Sequence, residues 1–128
     1  SVLDNVKLGA HTKLKSGVLS AGFRMPLTRR EERDLSREIE KDIIGLLELD
    51  HVAHTPVEDL SYGLQKRVEL ARALVMKPKI LLLDEPVAGM NREEKREMSR
   101  FVLDVRRNWQ TTVLLIEHDM SMVMEISD

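Results

Sequence analysis

Residues 80–86 read Ile-Leu-Leu-Leu-Asp-Glu-Pro: four large aliphatic side chains in a row, then two adjacent acids and a proline. The run is too short for a helix of its own, and a strand apolar at every position is one that an α/β fold covers on both faces. Downstream, Asn91 with Glu94 opens a helix whose Met98, Phe101, Val102 and Val105 share one face, and residues 111–117 form a second β-rich run. Strand, helix and strand in that order predict a βαβ unit, its strands parallel and its crossover right-handed. Ligands of such folds gather at the carboxyl ends of the strands, where Asp84 and Glu85 stand side by side.

Before residue 77 the periodicity is helical. Thr28 with Glu31 forms a capping box, and Leu35, Ile39, Ile43 and Leu47 then recur along one face of an amphipathic helix. After a loop at residues 50–59, Leu64, Val68, Ala71 and Val75 fall on one face of a second helix that stops before Pro78. The chain therefore divides into a helical region, residues 1–76, and part of a parallel-sheet region, residues 77–128. Its 128 residues are enough for one real core. With 20 basic residues against 22 acidic ones the formal charge is −2, so charge nominates no nucleic-acid or anionic-membrane partner. The absence of cysteine excludes disulfides and thiolate metal sites and is compatible with a reducing cytoplasm. No apolar run approaches the roughly 20 residues that cross a bilayer. Starting at Ser1 and stopping at Glu-Ile-Ser-Asp without a helix-ending signal, the sequence is expected to be a piece of a longer one.

Two readings of Asp84 and Glu85 stand at this point. The pair either caps a strand and faces water, or the Asp holds Mg²⁺ through its waters while the Glu polarises a water that attacks a phosphate. Upstream, Leu60-Ser61-Tyr62-Gly63 opens the second helix. A helix start offers unpaired N–H groups and the positive end of the dipole to an anion, and Gly63 permits close backbone approach. Taken alone, Ser61 reads first as an N-cap and Gly63 as a turn residue.

As a whole, residues 60–74 resemble the signature motif of ATP-binding cassette (ABC) ATPases, LSGGQ followed by a helix of the form QxRVxxARAL. Leu60, Ser61, Gly63, Gln65, Arg67, Val68, Ala71, Arg72, Ala73 and Leu74 match, and Tyr62 and Leu64 depart from it. Residues 80–86 then look like the family's Walker B element, with Asp84 the metal-side acid and Glu85 the catalytic carboxylate. Residues 88–91 look like the D-loop, with Asn91 where many relatives have Asp, and His118 resembles the switch histidine that contacts the γ-phosphate. The resemblance implies an α/β fold of the P-loop NTPase (RecA-like) ABC ATPase type, present in part as the helical subdomain and the C-terminal part of the parallel-sheet core. It implies ATP and Mg²⁺ as cofactors and a second ATP-binding subunit, identical or not, that meets this one head to tail. It also implies that Ser61, Tyr62, Gly63 and Gln65 approach the ATP of the opposite subunit, that Asn91 belongs to the nucleotide site as a D-loop residue, and that Asp84, Glu85 and His118 serve their own ATP.

The family's G-x-x-x-x-G-K-[ST] phosphate loop is absent from these residues. Gly17 and Gly22 have its separation, but Phe23 and Arg24 stand where Lys and Ser/Thr belong, so residues 17–24 read as a flexible loop. The isolated chain is accordingly expected to bind ATP poorly and to be inactive as an ATPase. The combination of motifs looks most like the ATP-binding subunits of bacterial uptake systems for branched-chain amino acids and related amides or urea. That likeness implies transmembrane permease partners, no nucleic acid, and a cytoplasmic position, peripheral on the inner face of the plasma membrane. The alternatives are ABC ATPases of lipopolysaccharide export and soluble, non-transport ABC ATPases; the uninterrupted spacing from Leu60 to His118 argues against the long insertions of the latter. His51 and His54 have a spacing that suits a metal, but with no further ligand near them they read as solvated. The charged runs at residues 29–34 and 91–100 read as wet helix faces, and Met120, Met122 and Met124 as core filling.

Overall fold

The computed structural model describes residues 1–9, 34, 37 and 39–127. Helix α1, Val2–Gly9, buries Val2, Leu3 and Val6. The N–H groups of Val2 and Leu3 donate to the carbonyls of Thr55 and Ala53 at 2.9 Å each, which ties the start of α1 to the turns that follow residue 49. The amphipathic helix predicted over residues 28–49 falls only partly within the described residues, and Thr28, Glu31 and Leu35 lie outside them. Its later part winds as a π-helix, Ile39–Ile44, and not as the α-helix that four-residue spacing predicts. Just beyond it Glu48 takes a left-handed φ of 54° and the Leu49 N–H donates to the Ile44 carbonyl, five residues back, at 2.9 Å, the bond pattern that ends a helix. Ile43 and Ile44 are both buried, together with Leu47 and Leu49, so the inner face is broader than the predicted stripe.

Helix α2, Tyr62–Leu74, begins at Ser61 and buries Val68, Ala71 and Leu74, with Val75 just beyond. The chain then turns through Lys77, which holds a φ of 47°, and enters β1, Ile80–Asp84. Helix α3, Arg92–Trp109, follows, capped as its sequence predicts: the Asn91 carboxamide oxygen accepts from the N–H groups of Glu93 and Glu94 at 2.9 and 3.0 Å. Its Met98, Phe101, Val102 and Val105 are all buried. Gln110, left-handed at a φ of 53°, reverses the chain into β2, Thr112–Ile116, and α4, Met120–Ile126, closes the described part.

The two strands pair in parallel, as the βαβ order predicts, with Ile80 opposite Thr112 and Asp84 opposite Ile116. Buried Thr111 fixes the start of that register by donating its hydroxyl to the Pro78 carbonyl at 3.0 Å. The expectation that β1 is covered on both faces is not met. Leu81, Leu83, Val113 and Leu115 face the core, whereas Ile80, Leu82, Leu114 and Ile116 are 55–69% exposed. Two strands carry a single layer of packing here, and no element among the described residues covers these four side chains. An all-apolar strand thus records the coating its sequence is built for, not the coating these residues supply.

Two further expectations need correction. Met122 is buried with Ile126, four residues on, but Met120 and Met124 are 64% and 76% exposed, because residues two apart on a helix do not share a face. The 91–100 run is not uniformly wet either. Glu97 pairs with Arg67 of α2, and Arg67 and Arg100 flank the buried Phe101 ring at 5.0 and 4.9 Å, so charge and aromatic packing join α2 to α3. Because the two sheet faces differ, neighbouring leucines have different worth. Leu81→Ala is expected to lower unfolding free energy by about 2–5 kcal/mol, and Leu82→Ser to change it by no more than about 0.5 kcal/mol while reducing self-association. Urea denaturation with light scattering measures both, and equal destabilisation would mean that the second face is covered.

Candidate functional site

The carboxyl end of β1 presents two acids in different ways. Asp84 is the last residue of the strand and is exposed, in register on the uncovered face with Ile80 and Leu82. Glu85 extends the pairing by one step, its N–H donating to the Ile116 carbonyl at 2.8 Å. It then takes a φ of 44°, a left-handed conformation that costs an L-residue about 1 kcal/mol and that recurs at functional sites. The turn is closed by the Ala88 N–H on the Glu85 carbonyl at 3.1 Å and anchored by buried Val87 and Met90. Bent this way, the Glu85 side chain meets the residue just past β2: Glu85 Oε1 lies 3.2 Å from His118 Nε2. The predicted Asp84, Glu85 and His118 are therefore gathered at one end of the sheet. Their surroundings are open, with the His118 side chain 83% exposed.

The loop that carries His118 is held by residues that sequence reasoning missed. Glu117 Oε1 accepts from the N–H groups of His118 and Asp119 at 2.8 and 3.1 Å, which fixes the backbone on either side of the imidazole. Asp119 caps α4, its Oδ1 accepting from Ser121 and Met122, while its Oδ2 takes a 2.7 Å hydrogen bond from Lys95 Nζ on α3. The Lys95 ammonium first, and the Met122 and Ser121 N–H groups after it, bring the Asp119 carboxyl down to about 2 against the opposing effect of desolvation. An Asp just before a short apolar run is a readable N-cap signal. Nothing in the sequence announces Lys95, 24 residues away.

The start of α2 forms the second cluster. Ser61 is exposed, and its Oγ accepts from the Leu64 N–H at 3.4 Å. Gly63 is buried because the Glu94 side chain lies over it: a Cβ there would stand 2.7 Å from Glu94 Cδ. Tyr62 lies across Gly89, which sits at a φ of 75° with room for a Cβ only 3.3 Å from the ring. Gln65 donates its amide to the Leu60 carbonyl at 3.0 Å, and the Asn91 side chain is committed to capping α3, so both are engaged within the chain. Between α2 and the end of β1 lies an open cleft of about 240 Å³ lined by Lys66, Leu70, Asp84 and Pro86. The Glu69 carboxylate beside Lys66 raises its pKa, keeping a cation at the rim. His51 and His54 are exposed, and residues 17–24 lie outside the described residues.

Comparison with known proteins bears on these clusters. Residues 3–88 match the family model described as ABC transporter. The chain is 42% identical over its whole length to the high-affinity branched-chain amino acid transport ATP-binding protein LivG of Escherichia coli (strain K12), and covers 50% of that protein. It is 37% identical over its whole length to the high-affinity branched-chain amino acid transport ATP-binding protein BraF of Pseudomonas aeruginosa, again covering 50%. The chain thus spans about half the length of these curated relatives. Among solved structures, the ADP conformation of MJ1267, an ATP-binding cassette of an ABC transporter, superposes with a TM-score of 0.75 at 29% identity, over 98% of this chain and 48% of that one.

The Lys95–Asp119 pair yields a direct test. A carboxyl whose folded pKa is depressed contributes stability that is present above its unfolded value, near ~4, and that fades as pH falls through about 2. Lys95→Met is expected to raise the Asp119 pKa toward the ordinary value, leaving only the two backbone donors to lower it. Carboxyl-carbon NMR titration reads this, and an unmoved Asp119 would show that the ammonium does not act on it.

Proposed function

From membership of the ABC transporter family, to which this chain belongs, we propose that these residues are the signature-to-switch part of an ATP-binding subunit that hydrolyses ATP to drive uptake of branched-chain amino acids or related amides. One observation carries the reading: the Glu85 carboxylate and the His118 imidazole, 33 residues apart in sequence, lie 3.2 Å from each other beside Asp84 at the carboxyl end of a parallel strand pair. The names of LivG and BraF, branched-chain amino acid transport ATP-binding proteins, supply the solute class of the proposal.

The donor chemistry fits the implied cofactors in part. Asp84 offers a hard carboxylate on an exposed strand end, which suits Mg²⁺ held through its waters. When bound, the ion neutralises charge on phosphate oxygens. Among these residues no Gly-rich loop with a following Lys cradles the β- and γ-phosphates. The cradle is therefore proposed to belong to the rest of a longer subunit, and the isolated chain to be inactive.

Within such a subunit the roles follow from position. Glu85 orients a water by hydrogen bonding and takes its proton as the oxygen attacks. Its Oε1 is already next to His118, which leaves Oε2 for that water. His118 donates to the γ-phosphate from the same end of the sheet. Ser61 is proposed to present its hydroxyl and the first N–H groups of α2 to the nucleotide of the opposite subunit, since it is exposed and lies at a helix start. Splitting a phosphoryl-transfer site across an interface makes closure a condition of turnover. Permease subunits are the proposed recipients of that motion, holding the ATPase at the inner face of the plasma membrane; no helix among the described residues is long and apolar enough to cross it.

In the complete subunit, Glu85→Gln should abolish steady-state phosphate release while ATP-held dimers persist on size exclusion; undiminished turnover would remove Glu85 from this role. For the isolated chain, titration calorimetry should show no ATP binding in the micromolar range, and micromolar affinity would refute its dependence on a missing cradle.

A further inference from the structure

The first turn of α3 reaches both functional clusters with consecutive side chains. Glu94 turns toward α2: its Oε2 accepts from the Asn91 N–H at 2.9 Å, and its methylenes and carboxyl fill the space over Gly63, two residues after Ser61. Lys95 turns the other way, to Asp119 at 2.7 Å, one residue after His118. Both contacts are specific to side-chain size or charge. A Cβ at Gly63 would stand within 3 Å of the Glu94 side chain, which would have to swing away from its place to admit it, and the Lys95–Asp119 pair is partly screened from water, with the two side chains 34% and 23% exposed. Behind them α3 is a single 18-residue helix whose opposite face is buried, so its first turn has little freedom to deform independently. The loop between Glu85 and this turn is gripped as well, since the Tyr62 ring rests on Gly89.

We propose that the first turn of α3 is a mechanical coupler in which Glu94 and Lys95 act as positioning residues, linking the His118 loop on one side to the Ser61 end of α2 on the other. The inference rests on the reading that His118 serves this subunit's nucleotide and Ser61 the nucleotide of the opposite one. A displacement of the His118 loop on nucleotide binding pulls Asp119 and hence Lys95. The turn then carries Glu94 against Gly63 and re-aims the N–H groups at the start of α2. Loading of one site is thereby reported to the surface that completes the other, within one chain and without passing through the interface.

The test uses backbone-amide and histidine NMR of the complete subunit, kept monomeric, with Mg-ATP as the probe. In the parent, adding nucleotide is expected to shift the His118 ring resonances and also the Ser61 and Gly63 amides. In Lys95→Met the His118 shift and the nucleotide affinity should persist while the Ser61 and Gly63 shifts are lost, and Lys95→Arg should restore them. Glu94→Ala should lose the same amide shifts with the Lys95–Asp119 pair intact. If the Ser61 and Gly63 shifts survive in Lys95→Met and Glu94→Ala, the coupler is overturned and the functional reading stands. If nucleotide fails to move His118 in the parent, both are overturned.

Discussion

The parallel pairing of β1 with β2 is the constraint on which the rest depends. Its register sets Asp84 opposite Ile116, and one further hydrogen bond, from the Glu85 N–H to the Ile116 carbonyl, carries the pairing past the end of the strand. That bond holds Glu85 where a left-handed backbone can turn its carboxylate toward His118. A shift of one residue in register would move every apolar side chain of the shifted strand to the opposite face and at the same time separate the acid from the imidazole. Core packing and site geometry are thus fixed by the same few backbone hydrogen bonds. The mild strain at Glu85 is tolerated because Val87 and Met90 anchor the turn beyond it.

Helix α3 turns this local pairing into an assembly. Its buried face packs into the core, its flank holds Arg67 of α2 through Glu97 and Phe101, and its first turn touches both proposed nucleotide-facing segments. Burial of Phe101, Val102 and Val105 makes it a rigid reference, against which the start of α2 and the loop after β2 are placed. The contacts around its N-terminus are by contrast small and polar. A rod with a stiff body and adjustable polar contacts at one tip is suited to transmit small displacements between the segments it touches.

Much of this was legible because the signals were local. The Asn91–Glu94 capping box, the α2 face of Val68, Ala71 and Val75, and the strand–helix–strand order each follow from spacing within a few residues, and the structure reproduces them. The ABC resemblance at residues 60–74 and 80–91 also led to the family that residues 3–88 match. What spacing could not show was how residues far apart in sequence meet. The Lys95–Asp119 pair, the seat of Tyr62 on Gly89 and the filling of Gly63 by Glu94 depend on how α3 lies against α2 and α4. The Ile39–Ile44 segment misled because a stripe at four-residue spacing does not by itself distinguish α from π winding. Met120 and Met124 misled because composition was read without a helix face, and the leucines of β1 because an all-apolar strand does not say which layers are at hand.

The central claim is that one chain contributes to two nucleotide sites, Glu85 and His118 to its own and Ser61 to that of a second copy. Mixed dimers of the complete subunit measure this most directly. One pairs a Ser61→Arg subunit with a Glu85→Gln subunit; the other pairs the double variant with an unaltered subunit. A site shared head to tail puts both defects of the first dimer into the same site and leaves the other whole, so ATP turnover should persist there and vanish in the second. The reverse pattern, with turnover surviving only beside the double variant, would place Ser61 and Glu85 at the same nucleotide and contradict the account.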